Sequence, residues 1–163
     1  MTETYKKAAM EVLNATHLYA VQNSGCEKVE VGSAIVRGIA LSDAVFGANR
    51  TLPCSCKKEG CMRVKKYGDN SKQHRNPEDC RAVHSEIDAI SRAARQGFST
   101  EATTIFVTRY PCEACARAIV RAGIKHVIYG RQQECSEESM RVFRAAGVEV
   151  YHMKEWDAPD VNY

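Results

Sequence analysis

Apolar residues recur every three or four positions along the first part of the chain, which predicts an opening helix with one apolar stripe. That stripe comprises Tyr5, Ala8, Ala9, Val12, Leu13, Thr16, Tyr19 and Ala20. Two β-prone runs follow, from Val29 to Val36 and from Ile39 to Phe46, with Arg37-Gly38 between them. Because glycine relieves the strain of a tight turn, the two runs predict an antiparallel hairpin.

This regular pattern lapses from Arg50 to about Asp79, where prolines and glycines interrupt a polar, cysteine-containing insert. A loop of that length in a small domain is usually functional, disordered or fastened by something. Beyond it, strands alternate with helices, and a glycine stands at each expected helix end. The predicted helices cover 84–96, 112–122 and 137–146, and the predicted strands cover 103–108, 126–129 and 148–151. Such alternation implies parallel pairing, so we expect an α/β fold with a mixed sheet and helices on both faces.

Composition fits one globular domain over residues 1–163, with 44% hydrophobic and 26% charged residues. The net charge of +3 is too small to indicate a nucleic-acid partner by itself. The first residues lack the apolar core of a signal peptide, and no run is long enough to span a membrane, so we expect a cytoplasmic protein. In that compartment eight cysteines favour metal binding over disulfides.

Two short motifs stand at predicted helix starts: His84-Ser85-Glu86 and Pro111-Cys112-Glu113-Ala114-Cys115. Alone, the histidine fits a solvated helix cap, and the cysteine pair fits a redox pair or half of a structural zinc site. Together, one imidazole and two thiolates supply three zinc ligands and leave the fourth position open, as a catalytic zinc requires. We therefore expect His84, Cys112 and Cys115 to hold Zn²⁺ and Glu86 to transfer protons as general acid and base.

His-x-Glu followed by a strand and Pro-Cys-x-x-Cys is the signature of zinc deaminases. The chain resembles the cytidine and deoxycytidylate deaminase superfamily, and especially its deoxycytidylate (dCMP) and late-competence branch. The resemblance rests on residues 80–86, 107–116, 122–124 and 127–129 and on the cysteine-bearing insert. It implies a three-layer α-β-α cytidine deaminase-like fold with a five-stranded sheet. It also implies conversion of dCMP to dUMP with release of ammonia, by a homo-oligomer acting on a nucleotide.

After the second strand the resemblance weakens, because a Gly-Tyr-Asn-Gly-x-Pro pattern is replaced by Gly47-Ala48-Asn49-Arg50-Thr51-Leu52-Pro53. The retained Asn49 implies a contact with the substrate sugar. Arg50 suits a 5′-phosphate, although a solvated loop arginine is an equal alternative. Ser85 stands where the family has alanine.

The insert predicts a second, structural zinc held by Cys54, Cys56, Cys61 and Cys80. Because Cys54 and Cys56 are separated by a single residue, His74 is an alternative to one of them, and reduced bystander cysteines are the other possibility. We expect Cys26 and Cys135 to be unrelated to either metal.

Two other functions compete with a nucleotide deaminase. A tRNA adenosine deaminase would use the basic run from Lys57 to Arg75 as an electrostatic footprint for RNA. Against it, acids interrupt that run, and Tyr67 is its one aromatic residue for stacking on bases. A noncatalytic zinc module would have little reason to keep Glu86 beside an open position. Another cytosine compound also remains open as the substrate.

Overall fold

The computed structural model describes residues 2–51, 56–68, 79–131 and 137–159. Its helices are α1 (Glu3–Asn23), α2 (Cys56–Glu59), α3 (Met62–Tyr67), α4 (Ser85–Arg95), α5 (Glu113–Arg121) and α6 (Glu137–Ala145). Its strands are β1 (Gly32–Val36), β2 (Val45–Ala48), β3 (Arg50–Thr51), β4 (Ala82–Val83), β5 (Thr104–Arg109), β6 (His126–Arg131) and β7 (Glu149–His152). No described helix combines the length with the apolarity that crossing a membrane demands.

Five strands form the main sheet in the order β2-β1-β5-β6-β7. β1 runs antiparallel to β2 and β5, whereas β5, β6 and β7 are parallel to one another. The parallel half follows from the helical crossovers α5 and α6, which return the chain to the same edge before each new strand. The predicted mixed five-stranded sheet with helices is therefore confirmed.

Helices cover both faces of this sheet, and each face has its own apolar core. On one face, α1 packs Val12 and Leu13 against Phe106 of β5. On the other face, Ala89 of α4 and Ile119 of α5 pack within one core that also includes sheet residues. All five residues of β1 are buried, as expected for a strand enclosed by two helical layers.

The predicted hairpin is present, but its connection is longer than a tight turn. Residues 37–44 link the strands and include a short 3₁₀ helix at Leu41–Asp43. The second strand consequently begins at Val45 instead of Ile39. The glycines expected at helix ends, Gly97, Gly123 and Gly147, all have positive φ angles, which residues with a side chain rarely adopt.

The insert is partly regular rather than a plain loop. β3 and β4 pair antiparallel through Arg50 with Val83 and Thr51 with Ala82, so the insert leaves and rejoins the domain at one place. Between them lie the short helices α2 and α3. Cys54 and His74, both named as zinc ligands from the sequence, lie outside the described residues, as does Cys135.

Candidate active site

Two helix starts meet at the site. His84 is the N-cap residue of α4, directly after β4, and Cys112 is the N-cap residue of α5, where Pro111 separates the helix from β5. Neither side chain makes a capping hydrogen bond to its own helix. This argues against a simple capping role for His84 and leaves both side chains available to a shared ligand.

His84, Cys112 and Cys115 converge on one point. The His84 Nδ1 atom lies 3.4 Å from the Sγ atom of each cysteine. At ordinary zinc bond lengths and tetrahedral angles, a nitrogen and a sulfur ligand are separated by roughly 3.6 Å, so the observed spacing fits Zn²⁺. Within the described ranges, this is the only group of three or more potential ligands whose donor atoms all lie within 4.8 Å of one another.

The two thiols have opposite pKa shifts, so that Cys115 holds its proton more strongly than Cys112 does. The pKa of Cys112 is lowered to about 4, chiefly by the hydrogen bond from Cys115 and also by the neighbouring His84, against the opposing effect of burial. Donating that bond, together with burial, raises the pKa of Cys115. The bond to Cys112 also raises the pKa of His84. The lowered pKa of Cys112 favours its thiolate, which is the form that binds metal.

Glu86 lies in the first turn of α4 and is only 4% exposed. Its Oε2 atom accepts a hydrogen bond of 3.1 Å from the hydroxyl of Ser85. Burial raises the pKa of this carboxyl group, because a charged form is poorly solvated there. A carboxylate with a raised pKa takes up and returns protons more readily than an exposed one.

A cavity of about 230 Å³ opens beside these residues, and its walls include His84, Glu86 and Cys112. That volume exceeds the roughly 150 Å³ in which a protein cavity holds a benzene ring, so a pyrimidine ring fits. Arg63 of α3 and Arg109 at the end of β5 line the same cavity. Among the described residues, neither arginine forms an ion pair, and Arg63 Nε is buried without a hydrogen-bond partner there.

Asn49 lines the cavity, but most of its amide group is already engaged. Its Oδ1 atom accepts hydrogen bonds from the Ser24 hydroxyl at 2.7 Å and the Val31 amide at 2.9 Å, while Nδ2 donates to the Val29 carbonyl at 2.8 Å. The side chain thereby holds the segment before β1 in place. A contact between Asn49 and a sugar stays a prediction.

Arg50 lies apart from the cavity lining. Its guanidinium donates to the Tyr19 hydroxyl and to Asn23 Oδ1, each at 3.0 Å, and its Nε lies 3.4 Å from a carboxylate oxygen of Asp88. These contacts fasten α1 to α4. They give Arg50 a structural role that the sequence did not indicate, and its assignment to a phosphate stays a prediction.

The predicted second zinc site is only partly within the described residues. Cys61, Cys26 and Cys80 lie close enough to Cys56 to raise the pKa of its thiol, after the larger effect of burial. Among the described residues, no three cysteines of this cluster have sulfur atoms that all lie within 4.8 Å of one another. Cys26 lies near this cluster as well, and its predicted lack of a role in metal binding stays a prediction.

Sequence reasoning missed Arg63 and Arg109 as cavity residues. Arg109 carried a usable signal, because it ends a strand of the parallel half, where α/β folds place their binding residues. For Arg63 there was no such signal, because nothing in the sequence distinguishes it from the other basic residues of the insert.

Comparisons with known proteins agree with this geometry. The family model for MafB19-like deaminases matches residues 2–155. ComE operon protein 2 of Bacillus subtilis is 29% identical over 83% of this chain and 65% of that protein. The deoxycytidylate deaminase of Mycobacterium phage D29 is 31% identical over 69% of this chain and 87% of that protein. The chain spans 42% to 65% of the length of the first curated relatives that it matches.

A solved structure shares the fold. The dCMP deaminase of cyanophage S-TIM5, determined in complex with dCMP and dUMP, superposes with a TM-score of 0.66 at 24% identity, over 93% of this chain and 98% of that one. The structural likeness thus shows the fold that the resemblance found in the sequence implies. Since the family model covers almost the whole chain, this chain belongs to the MafB19-like deaminase family.

Proposed function

We propose that this deaminase binds one catalytic Zn²⁺ and hydrolyses the exocyclic amine of dCMP, giving dUMP and ammonia. The observation that carries the proposal is the convergence of His84, Cys112 and Cys115 on one point, beside a cavity that Glu86 and two arginines line. The dCMP deaminases among the relatives support the cytosine nucleotide as the substrate.

Each group of the site has a distinct task in this reaction. His84, Cys112 and Cys115 would hold Zn²⁺, which would supply the Lewis-acid chemistry that makes water nucleophilic near neutral pH. Glu86 accepts one proton from the attacking water and passes it to the ring nitrogen N3 of cytosine. It then accepts the remaining proton of the hydroxyl group added at C4 and passes it to the amine, which leaves as ammonia. The C4–N bond breaks, and the water oxygen becomes the carbonyl of uracil. Burial of Glu86 suits it to hold each proton between these steps.

Recognition of the sugar and phosphate falls to the cavity walls. The second N–H of the Asn49 amide is left for a sugar hydroxyl, since one N–H already bonds Val29. Arg63 and Arg109 present guanidinium groups that form no ion pair among the described residues, and guanidinium suits phosphate geometry. This assigns to Arg63 and Arg109 the phosphate contact first attributed to Arg50, whose guanidinium is bound to α1 and α4.

The test is ammonia release from dCMP, deoxycytidine, cytidine and a tRNA anticodon stem-loop containing adenosine. We expect the highest kcat/KM on dCMP. Equal values on dCMP and deoxycytidine would refute recognition of the phosphate. Reaction with the stem-loop alone would establish the tRNA enzyme instead.

A matched pair of variants tests the arginine assignment. Arg109→Ala should lower kcat/KM for dCMP about 10- to 100-fold, the range for losing a charge-assisted hydrogen bond, and should leave deoxycytidine turnover unchanged. Arg121→Ala, which removes an exposed arginine of α5 outside the cavity, is the control and should affect neither substrate. If Arg109→Ala reduces turnover of both substrates equally, Arg109 does not recognise phosphate.

A further inference from the structure

Three polar side chains form a continuous chain between the central sheet and the site. The Ser33 hydroxyl of β1 lies 2.7 Å from the Ser85 hydroxyl of α4, and Ser85 in turn bonds Glu86 Oε2 at 3.1 Å. Both serines are fully buried, with no exposed surface. Buried hydroxyls without solvent need such partners, so each of these bonds constrains the geometry of the next.

The direction of the hydrogen bonds follows from counting hydrogens. In its ionised form, which is the form that accepts a proton from water, the Glu86 carboxylate has no hydrogen to give, so the Ser85 hydrogen is donated to Glu86. Ser85 then has only lone pairs for Ser33, and Ser33 must donate to Ser85. Both donors therefore point toward the carboxylate, and a neighbouring donor strengthens a hydrogen bond in such a chain.

Both serines are fixed by the surrounding backbone. Ser33 is in β1, which is paired with a strand on each side. The Ser85 end of α4 is pressed against β2 so closely that a Cβ atom on Gly47 would lie 2.3 Å from the Ser85 carbonyl oxygen. Ser85 is not the N-cap residue, which is His84, so capping does not account for its side chain.

We propose that Ser33 and Ser85 form a relay that positions Glu86, holding Oε2 so that Oε1 is the oxygen that exchanges protons with water and substrate. The inference rests on the proposed function and adds two positioning residues to it. Glutamate has three rotatable side-chain bonds, and anchoring one oxygen to the rigid sheet removes orientations that are unproductive for proton transfer.

Kinetics of alanine variants test the relay. Ser85→Ala should lower kcat for dCMP about 10- to 100-fold, as expected when a catalytic group is slightly misplaced, and should change KM by no more than about twofold. Ser33→Ala should lower kcat less, because Ser85 can still donate. The double variant should match Ser85→Ala instead of multiplying the two losses, since Ser33 acts only through Ser85.

Ser139→Ala is the matched control, because Ser139 is also fully buried but lies on α6 outside the cavity lining. It should keep wild-type kcat per folded, zinc-loaded chain. Wild-type kcat in Ser85→Ala, or multiplicative losses in the double variant, would overturn the relay while leaving the deaminase activity intact.

A crystal structure of Ser85→Ala tests the relay independently of any substrate. We expect the Glu86 carboxylate in a changed or multiple orientation, with zinc content unchanged. A Glu86 side chain that keeps its original single orientation in this variant would overturn the relay, whatever the activity of the wild-type protein. Failure of the wild-type protein to deaminate any of the cytosine compounds would instead overturn the proposed function.

Discussion

Replacing Glu86 by glutamine exchanges one carboxylate oxygen for an amide nitrogen and leaves the three candidate zinc ligands untouched. Glutamine has nearly the same shape, and its carbonyl oxygen can accept the hydrogen bond that Ser85 donates at 3.1 Å. Because the carboxylate is only 4% exposed, the neutral amide also removes a charge that is poorly solvated. We therefore expect Glu86→Gln to fold, to bind zinc and to unfold at a temperature no lower than the wild-type protein.

The same variant should lose activity, because an amide does not accept and return protons near neutral pH. General acid–base catalysis contributes about 100- to 10,000-fold to a rate. The corresponding loss of transition-state stabilisation is about 3–5 kcal/mol. Since Glu86 is the one carboxylate among the described residues that line the cavity, no described acid can replace it, and the loss should lie toward the upper end of that range.

The assay is steady-state kcat from ammonia release on dCMP, with zinc per chain measured by mass spectrometry on the same samples. Glu11→Gln, which alters an exposed glutamate of α1, controls for the chemical change itself and should retain full activity. Turnover by Glu86→Gln within about tenfold of wild type, at equal zinc content, would refute the role of Glu86 as the proton carrier.

Two further predictions concern the insert and the close packing of α4. Carefully purified protein should contain two zinc ions per chain, and Cys61→Ser, which replaces a predicted insert ligand outside the cavity lining, should lose one of them while keeping deaminase activity. A single zinc in the wild-type protein would count against the insert site. Gly47→Ala should destabilise the fold by about 1–3 kcal/mol, because the new Cβ would lie 2.3 Å from the Ser85 carbonyl oxygen and 2.4 Å from the Ala89 amide nitrogen. An unchanged denaturant midpoint would contradict that packing argument.

The sheet, its helices and the grouping of His84, Cys112 and Cys115 could be predicted from the sequence because their signals are local. Helix starts at His84 and Cys112 and helix ends at glycines follow from the chemistry of single residues and their neighbours. The start of β2 could not be read in the same way. Its predicted run from Ile39 includes residues that form a 3₁₀ helix, since short apolar stretches do not by themselves distinguish strand from other buried structure.

Local sequence signals could not predict side-chain contacts between distant parts of the chain. Arg50 and the neighbouring Asn49 face different partners: Arg50 bonds side chains of α1 and α4, while Asn49 holds the segment before β1. Ser33 meets Ser85 across 52 positions. Only the packing of β1 against α4 brings that pair together, and no spacing rule along the chain encodes it.

The pairing of β3 with β4 explains how one insert can serve the site without disturbing the sheet. Because the two strands bring the ends of the insert together, the main sheet and α4 are joined as if the insert were short. α3 is thereby held over the cavity, where Arg63 joins Arg109 from the end of β5. In the proposed reaction the sheet and the starts of α4 and α5 supply the chemistry, while the insert supplies part of the charge that recognises the phosphate. If the proposal holds, changes in the insert will alter substrate preference while His84, Glu86, Cys112 and Cys115 stay fixed.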